Sequence, residues 1–327
     1  MAQPILLTGA AGFIGSHVAQ ALLARGESVV GVDNFDPFYD AALKHANLDE
    51  VRATAQATAT PDSFECVAAD ITDAAAMHTL FERTRPKGVI HLAAKAGVRP
   101  SIADPVGYAH ANITGTAVML DLARRAGCDR IVVASSSSVY GNSPTAPFSE
   151  TQDVNAPISP YAATKRACEL IGHTHFHLTG MPTAMLRFFT VFGPRQRPDL
   201  AINLFLTRIA KGEPIRMFGD GSMSRDFTFV ADIVSGVLAA YDHIPAHGYR
   251  IWNLGHNHPV SLADMIATIE TAVGKKAIIQ REPMQPGDVQ RTWADLTRSQ
   301  AELGYSPSTS FEEGVAKHWA WLKSRLG

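Results

Sequence analysis

Through the first 190 positions, short dense hydrophobic runs alternate with stretches of helical periodicity. The runs at 4–8, 28–33, 64–69, 88–93, 130–135 and 183–189 are too short for helices and apolar at successive positions, as in strands buried on both faces. Helical patterns lie between them, the clearest at 108–126 and 160–178. This alternation predicts an α/β fold with a doubly wound parallel sheet. After Thr190 the character changes. Gly193, Pro194, Pro198, Pro214 and Gly219-Asp220-Gly221 punctuate short elements, and Pro283, Pro286 and Gly287 break the chain again. A large domain over 1–189 and a smaller one over 190–327 follow, with the chain expected to return to the first around 223–255. The Ala/Thr-rich tract at 53–60 reads as a surface excursion.

The first strand runs into Thr8-Gly9-Ala10-Ala11-Gly12-Phe13-Ile14-Gly15, and a helical pattern follows. Strand, glycine turn and helix form the context of a Rossmann-like dinucleotide site. Gly9 suits a tight turn, Gly12 the approach of backbone amides to a pyrophosphate, and Gly15 close helix–sheet packing. The second strand ends at Asp33, 33 − 15 = 18 residues beyond the last glycine. That is close to the ~20 expected of a carboxylate that binds the adenosine ribose. Asp36 adds negative charge, and neither Arg nor Lys occurs between Asp33 and Tyr39, so NAD is expected rather than NADP. The first domain is therefore the expected NAD-binding one.

Tyr161 and Lys165 stand one helical turn apart and can share a face. A fixed positive charge beside a phenol stabilises its phenolate and makes it a usable base near neutral pH. In an open parallel sheet, ligands lie beyond the carboxyl ends of the strands. Three clusters are expected there: the glycine turn, Leu92-Ala93-Ala94-Lys95-Ala96-Gly97, and Ser135-Ser136-Ser137-Ser138. Small residues at 93, 94 and 96 would let a planar nicotinamide lie against backbone.

Composition narrows the class. A chain of 327 residues has ample core for one large or two interlocked domains. A formal net charge of -2 gives no reason to expect nucleic acid or an anionic membrane surface as partner. Cys66, Cys128 and Cys168 match no metal or redox spacing and read as reduced thiols. The opening apolar stretch lacks a basic region before it and is consumed by the glycine turn, unlike a signal peptide. No apolar run approaches the ~20 residues of a membrane span. A cytoplasmic enzyme is the expectation. His173, His175 and His177 alternate, so on a helix only 173 and 177 share a face, and a surface cluster rather than a metal site is expected. His91 is expected to pack inside a strand, and Trp319 and Trp321 to anchor a C-terminal helix.

Four segments in order carry a family resemblance over nearly the whole chain: Leu7 to His17, His91-Leu92-Ala93-Ala94, Tyr161-Ala162-Ala163-Thr164-Lys165 and Arg225-Asp226-Phe227-Thr228. The sequence resembles the extended short-chain dehydrogenase/reductases that act on nucleotide sugars. The resemblance implies Tyr161 as general base, Lys165 lowering its pKa and holding the nicotinamide ribose, and Ser136 on the reacting oxygen. It implies an NAD site of Gly9, Gly12, Phe13, Ile14, Gly15, Asp33 and Asn34, joined by Asp70 and Ile71 at the adenine and by Leu92, Ala93, Ala94 and Lys95. Asn112 matches a family position behind the site, and Arg225 resembles an arginine that grips the diphosphate. Ser137, Ser138 and Asp288 are expected to complete the substrate side.

Dehydratases and decarboxylases of this family place an acidic residue just after the catalytic serine or threonine. Ser136-Ser137-Ser138-Val139-Tyr140 has none, which points to a UDP-sugar 4-epimerase. Phe38 to Lys44, Ala94 to Arg99 and Arg187 to Pro194 look most like UDP-glucuronate 4-epimerases, in which a threonine and an arginine lie near the sugar carboxylate. Thr190 and Arg197 occupy the matching positions. Arg195-Gln196 departs from that group, and Gly219-Asp220-Gly221-Ser222 is more like neutral-sugar epimerases. Arg195 and Arg197 could instead serve phosphate or solvent. Glucuronate stands ahead of glucose or galactose. A net oxidoreductase or decarboxylase, and a non-catalytic NAD sensor, remain the alternatives. The helices at 108–126 and 160–178 pair across a homodimer axis in this family.

Overall fold

The first strand, β1 (Ile5–Thr8), is buried at every position because it lies mid-sheet with helices over both faces. The computed structural model describes residues 3–58, 63–283 and 289–326. After β1 come α1 (Phe13–Ala24), β2 (Val29–Asp33), α2 (Ala41–Ala57), β3 (Phe64–Ala68), α3 (Ala74–Thr84) and β4 (Gly88–His91). Short helices α4 (Val98–Ala103) and α5 (Pro105–Ala109) lead through a π-turn at His110–Thr114 into α6 (Gly115–Arg125) and β5 (Ile131–Ser136). Then follow α7 (Pro160–Thr179), β6 (Thr183–Phe188), β7 (Thr190–Phe192), α8 (Ala201–Lys211), β8 (Pro214–Phe218), β9 (Ser224–Phe229) and α9 (Val230–His243). The chain finishes with β10 (Tyr249–Leu254), β11 (Pro259–Ser261), α10 (Leu262–Val273), β12 (Ile278–Glu282), α11 (Thr297–Leu303) and α12 (Phe311–Lys323).

The large sheet has seven parallel strands in the order β10-β6-β5-β4-β1-β2-β3. Side chains alternate between two cores. Ile5, Leu7, Val29, Ile90 and Val132 face one, and Leu6, Val30, Val89, Ile131 and Val133 face the other. The order reverses between β1 and β4, where Thr8 and His91 lie side by side at the carboxyl ends. Such a switch point leaves a crevice for a ligand. Two smaller sheets, β11-β9-β7 and β12-β8, are built from the later chain. Within 223–255, β9 belongs to the three-stranded sheet, whereas α9 packs on α1 and β10 extends the large sheet beside β6.

Two expectations are corrected. The tract at 53–60 stays at the surface, with residues 53, 56 and 57 exposed, but as far as it is described it makes no excursion from regular structure. Residues 53–57 close α2, with Ala55 buried and the Thr54 hydroxyl donating to the Glu50 carbonyl at 3.1 Å, so the helix absorbs its threonine. The pattern at 108–126 is not one α-helix. The π-turn interrupts it and directs the buried Asn112 away from solvent. Trp319 and Trp321 lie on α12, partly buried against the core. Among the described residues no helix is long and apolar enough to cross a membrane, and no group of three metal-ligating side chains occurs.

Candidate active site

The glycine turn is built by close approach. Gly9 has a φ of +72°, and a Cβ there would lie 2.9 Å from the Ala93 amide nitrogen. A Cβ on Gly15 would lie 2.0 Å from the Gly9 carbonyl oxygen. Gly12 occupies the N-cap of α1 with no side-chain cap, which leaves the first-turn amides of Phe13 and Ile14 available to an anion. Asp33 closes the turn from behind. Its carboxylate accepts the Ala11 amide at 3.1 Å and the Phe35 amide at 2.9 Å. Buried Lys44 reaches Asp33 at 3.7 Å, a cation from outside the Asp33–Tyr39 stretch. The Asn34 amide donates to Asp70 at 2.8 Å, and Thr72 donates to the same carboxylate twice. Burial opposes ionisation of Asp70, but the bonds from Thr72 and Asn34 outweigh it and hold its pKa below the usual value. Ile71 fills the space over Gly115, where a Cβ would meet it at 2.5 Å. Cradle, capless helix end and strand-end carboxylate all fit a dinucleotide.

Beyond β4, His91 is buried between the Thr8 hydroxyl at 2.7 Å and the Thr116 hydroxyl at 3.2 Å. Burial, reinforced by the Lys165 charge, lowers its pKa to about 3, so it stays neutral. Thr8 also accepts the Ala93 amide at 3.1 Å. Asn112 grips Lys95 by its backbone, accepting the N–H at 2.8 Å and donating to the C=O at 3.0 Å, and donates to Thr164 of α7 at 3.0 Å. The segment 92–95 is thereby pinned to β1 and to α7. The Lys95 ammonium itself turns outward to Asp104 at 2.8 Å.

Helix α7 starts at Ser159, whose hydroxyl accepts the Ala162 amide at 3.1 Å, with Pro160 in the first turn. Lys165 is 4% exposed and donates to the Ala134 carbonyl at 2.8 Å, two residues before Ser136. Ser136 ends β5; its hydroxyl donates to the Ser138 hydroxyl at 3.1 Å and accepts the Ser138 amide at 3.2 Å. Tyr161, half-buried, donates its amide to Ser101 at 3.1 Å, and its ring stands edge-on to Tyr108 at 6.2 Å. Burial pushes the Tyr108 phenol up to about 12, so it remains a donor to the Ala96 carbonyl at 3.1 Å. Beneath this layer, Glu169 and Arg187 form a buried bidentate pair at 2.8 and 2.9 Å, and Glu169 also accepts the Ser135 hydroxyl at 2.7 Å.

The arginines separate. Arg195 is turned from solvent toward an acidic partner. It is buried, donates to Ser16 at 3.2 Å and pairs with Glu50, between α1 and α2. Arg197 donates to the Ala96 carbonyl at 3.1 Å and so stands beside Tyr108 and the Tyr161 ring. Thr190 opens β7, opposite Phe227. Arg225 lies on β9 and donates to the Ser224 carbonyl at 2.9 Å. Next to it is a cavity of about 650 Å³ walled by Gly141 to Pro144, Ser222, Ser224 and Val289 to Arg291, apart from Tyr161 and Ser136. Ser137 and Ser138 begin the turn that leads to its wall. Asp288 lies outside the described residues. Sequence reading missed Tyr108, Ser101 and Asp199. Only Asp199, an opposite charge two positions from Arg197, left a local signal.

Fold and site together define a doubly wound α/β protein with a dinucleotide cradle at the switch point of its sheet and a helix carrying Tyr161 and Lys165 packed on β5, which ends at Ser136. The profile of the GDP-mannose 4,6-dehydratase family matches residues 6–318. A UDP-glucuronate 4-epimerase of Thermodesulfobacterium geofontis is 41% identical over 323 residues, covering 98% of this chain and 96% of that one. Among solved structures, the UDP-glucuronic acid 4-epimerase of Bacillus cereus, in complex with UDP-glucuronic acid and NAD, superposes with a TM-score of 0.89 at 35% identity, covering 98% and 99% of the two chains. The UDP-glucose 4-epimerase of Thermotoga maritima, with UDP-glucose, gives 0.88 at 29% identity and covers 99% and 100%. The chain belongs to this NAD-dependent epimerase/dehydratase family.

Proposed function

We propose that this protein is an NAD-dependent UDP-sugar 4-epimerase, an isomerase that interconverts UDP-glucuronate and UDP-galacturonate. The observation that carries the reading is the buried Lys165 ammonium, tied to the end of β5 one turn from Tyr161 and two residues from Ser136. The near-full-length likeness to glucuronate epimerases supports it. So does the stretch from Ser136 to Tyr140, which offers hydroxyls and no carboxyl for a dehydration or decarboxylation.

Bound NAD supplies the hydride acceptor and donor for C4 of the sugar. The glycine turn and the first-turn amides of α1 would hold its pyrophosphate, Asp33 its adenosine ribose, Asn34, Asp70 and Ile71 its adenine end, and Leu92 to Lys95 its nicotinamide end. Tyr161 accepts the 4-hydroxyl proton as C4 is oxidised and returns it as C4 is reduced. Lys165 keeps positive charge beside the phenolate and on the nicotinamide ribose. Ser136, with Ser137 and Ser138 alongside, donates to the C4 oxygen. Arg225 and the cavity next to it suit the nucleotide diphosphate, while Thr190 and Arg197 suit the sugar carboxylate. Firm nucleotide contacts with a loose sugar let the 4-keto sugar turn and present its other face.

The protein acts as a homodimer in this reading. Leu170 and Leu178 on α7, and Ile102 and Val106 on α4 and α5, which pack on α7, are large apolar side chains left exposed. A cytoplasmic setting accords with three free cysteines. The test is to incubate the purified protein with UDP-glucuronate and with UDP-glucose and to follow both sugars and NADH. Inversion at C4 without net NADH, faster on the glucuronate, is expected. Pentose or carbon dioxide would mark a decarboxylase, and inert sugars a non-catalytic protein.

A further inference from the structure

Arg197 is caged. Its Nε donates to Asp199 Oδ1 at 3.0 Å, Nη2 to Asp199 Oδ2 at 2.7 Å, and Nη1 to the Ala96 carbonyl at 3.1 Å. The Phe38 ring lies 4.8 Å from the guanidinium carbon. A guanidinium has five N–H donors in one plane. These contacts place three, and one remains on each terminal nitrogen. With the Ala96 carbonyl on the outer Nη1 hydrogen, the inner pair would meet a carboxylate end-on through two parallel hydrogen bonds. Gly97 lies alongside, where an added Cβ would come into van der Waals contact with Nη2 at 3.7 Å, so the missing side chain keeps that flank of the guanidinium clear. The carbonyl that holds Nη1 also accepts the Tyr108 hydroxyl, and Tyr108 stands edge-on to Tyr161.

We propose that Asp199 is a specificity-determining positioning residue: gripping the side of the Arg197 guanidinium, it aims the end-on fork at the carboxylate of a uronic-acid sugar. The inference rests on the reading of the chain as a UDP-glucuronate 4-epimerase. Asp199 would also repel a second carboxylate. Its side chain is 41% exposed, so water screens that repulsion, while the two-point grip on orientation persists.

The test compares wild type, Asp199→Asn and Asp199→Glu, all NAD-loaded. It measures KM and kcat for UDP-glucuronate and the inhibition constant of UDP-glucose as a competing ligand. Asparagine keeps the shape but offers one acceptor and no charge. The KM for UDP-glucuronate is expected to rise about tenfold in Asp199→Asn, the scale of one misplaced charge-assisted hydrogen bond. The kcat and the UDP-glucose constant should stay near wild type, and Asp199→Glu should recover part of the KM. Equal weakening toward both ligands, or an unchanged or lower KM for UDP-glucuronate, overturns the inference alone. A wild type that cannot invert UDP-glucuronate overturns the functional reading, and the inference with it.

Discussion

Replacing Gly15 by alanine adds one methyl group where the structure has no room for it. The Cβ would lie 2.0 Å from the Gly9 carbonyl oxygen, 2.7 Å from its carbon and 3.1 Å from Ala10 Cα. Relief to an ordinary C···O distance of ~3.3 Å requires about 1.3 Å of movement (3.3 − 2.0). Gly9 cannot recede, because its amide is tied to the Val32 carbonyl at 2.7 Å and its α-carbon backs onto Ala93. Helix α1 must move instead, carrying the first-turn amides away from the site. Overpacking of this kind costs about 1–3 kcal/mol. Gly26→Ala is the control: its φ is +79° with nothing within 4 Å, so only the left-handed backbone penalty of about 1–2 kcal/mol applies. Urea unfolding of cofactor-stripped protein, with and without NAD at a hundredfold excess over Kd, separates the effects. Wild type and Gly26→Ala should gain about 2.7 kcal/mol from the ligand. Gly15→Ala should gain almost nothing. An intact NAD increment in Gly15→Ala would refute the reasoning.

Tyr161→Phe should lower turnover by about 10²–10⁴ while leaving the NAD increment intact, and undiminished inversion would remove Tyr161 as the base. Glu169→Gln leaves the Arg187 guanidinium buried without its counter-charge, and about 3–5 kcal/mol of stability should be lost in urea unfolding; a loss near zero contradicts the ion pair's role. Burial lowers the pKa of His318 from 6.5 to about 3, and burial with the Arg195 charge lowers that of His17 to about 4. With His91 also near 3, all three are neutral in the fold and take up protons on unfolding. The unfolded state therefore binds more protons below pH ~6.5, and stability falls as pH drops toward 4, by about 1.4 kcal/mol per unit for each histidine. Neither ring nitrogen of His318 has a hydrogen-bond partner, so His318→Leu should remove one histidine's share of that slope. An unchanged slope between pH 6 and 5 contradicts its burial as a neutral ring.

The sheet was legible because its strands are buried on both faces, which writes uninterrupted apolar runs into the chain. The glycine turn and the Tyr161–Lys165 pair were legible because each is a local spacing. What stayed hidden was set by distant partners. Arg195 looked free until Glu50, far away in the chain, took its charge, and Lys44 reached Asp33 from the following helix. The π-turn left no mark because its period differs from 3.6 by less than a single turn can reveal. Tyr108 meets Tyr161 only through the packing of α5 on α7, which no spacing within either helix encodes.

The central claim is that C4 is oxidised and then reduced within one closed site. UDP-glucuronate carrying deuterium at C4, incubated in ordinary water with catalytic NAD, tests it most directly by NMR of the product. The account predicts UDP-galacturonate that keeps its deuterium at C4. Deuterium lost to solvent, or no inversion at all, would contradict it.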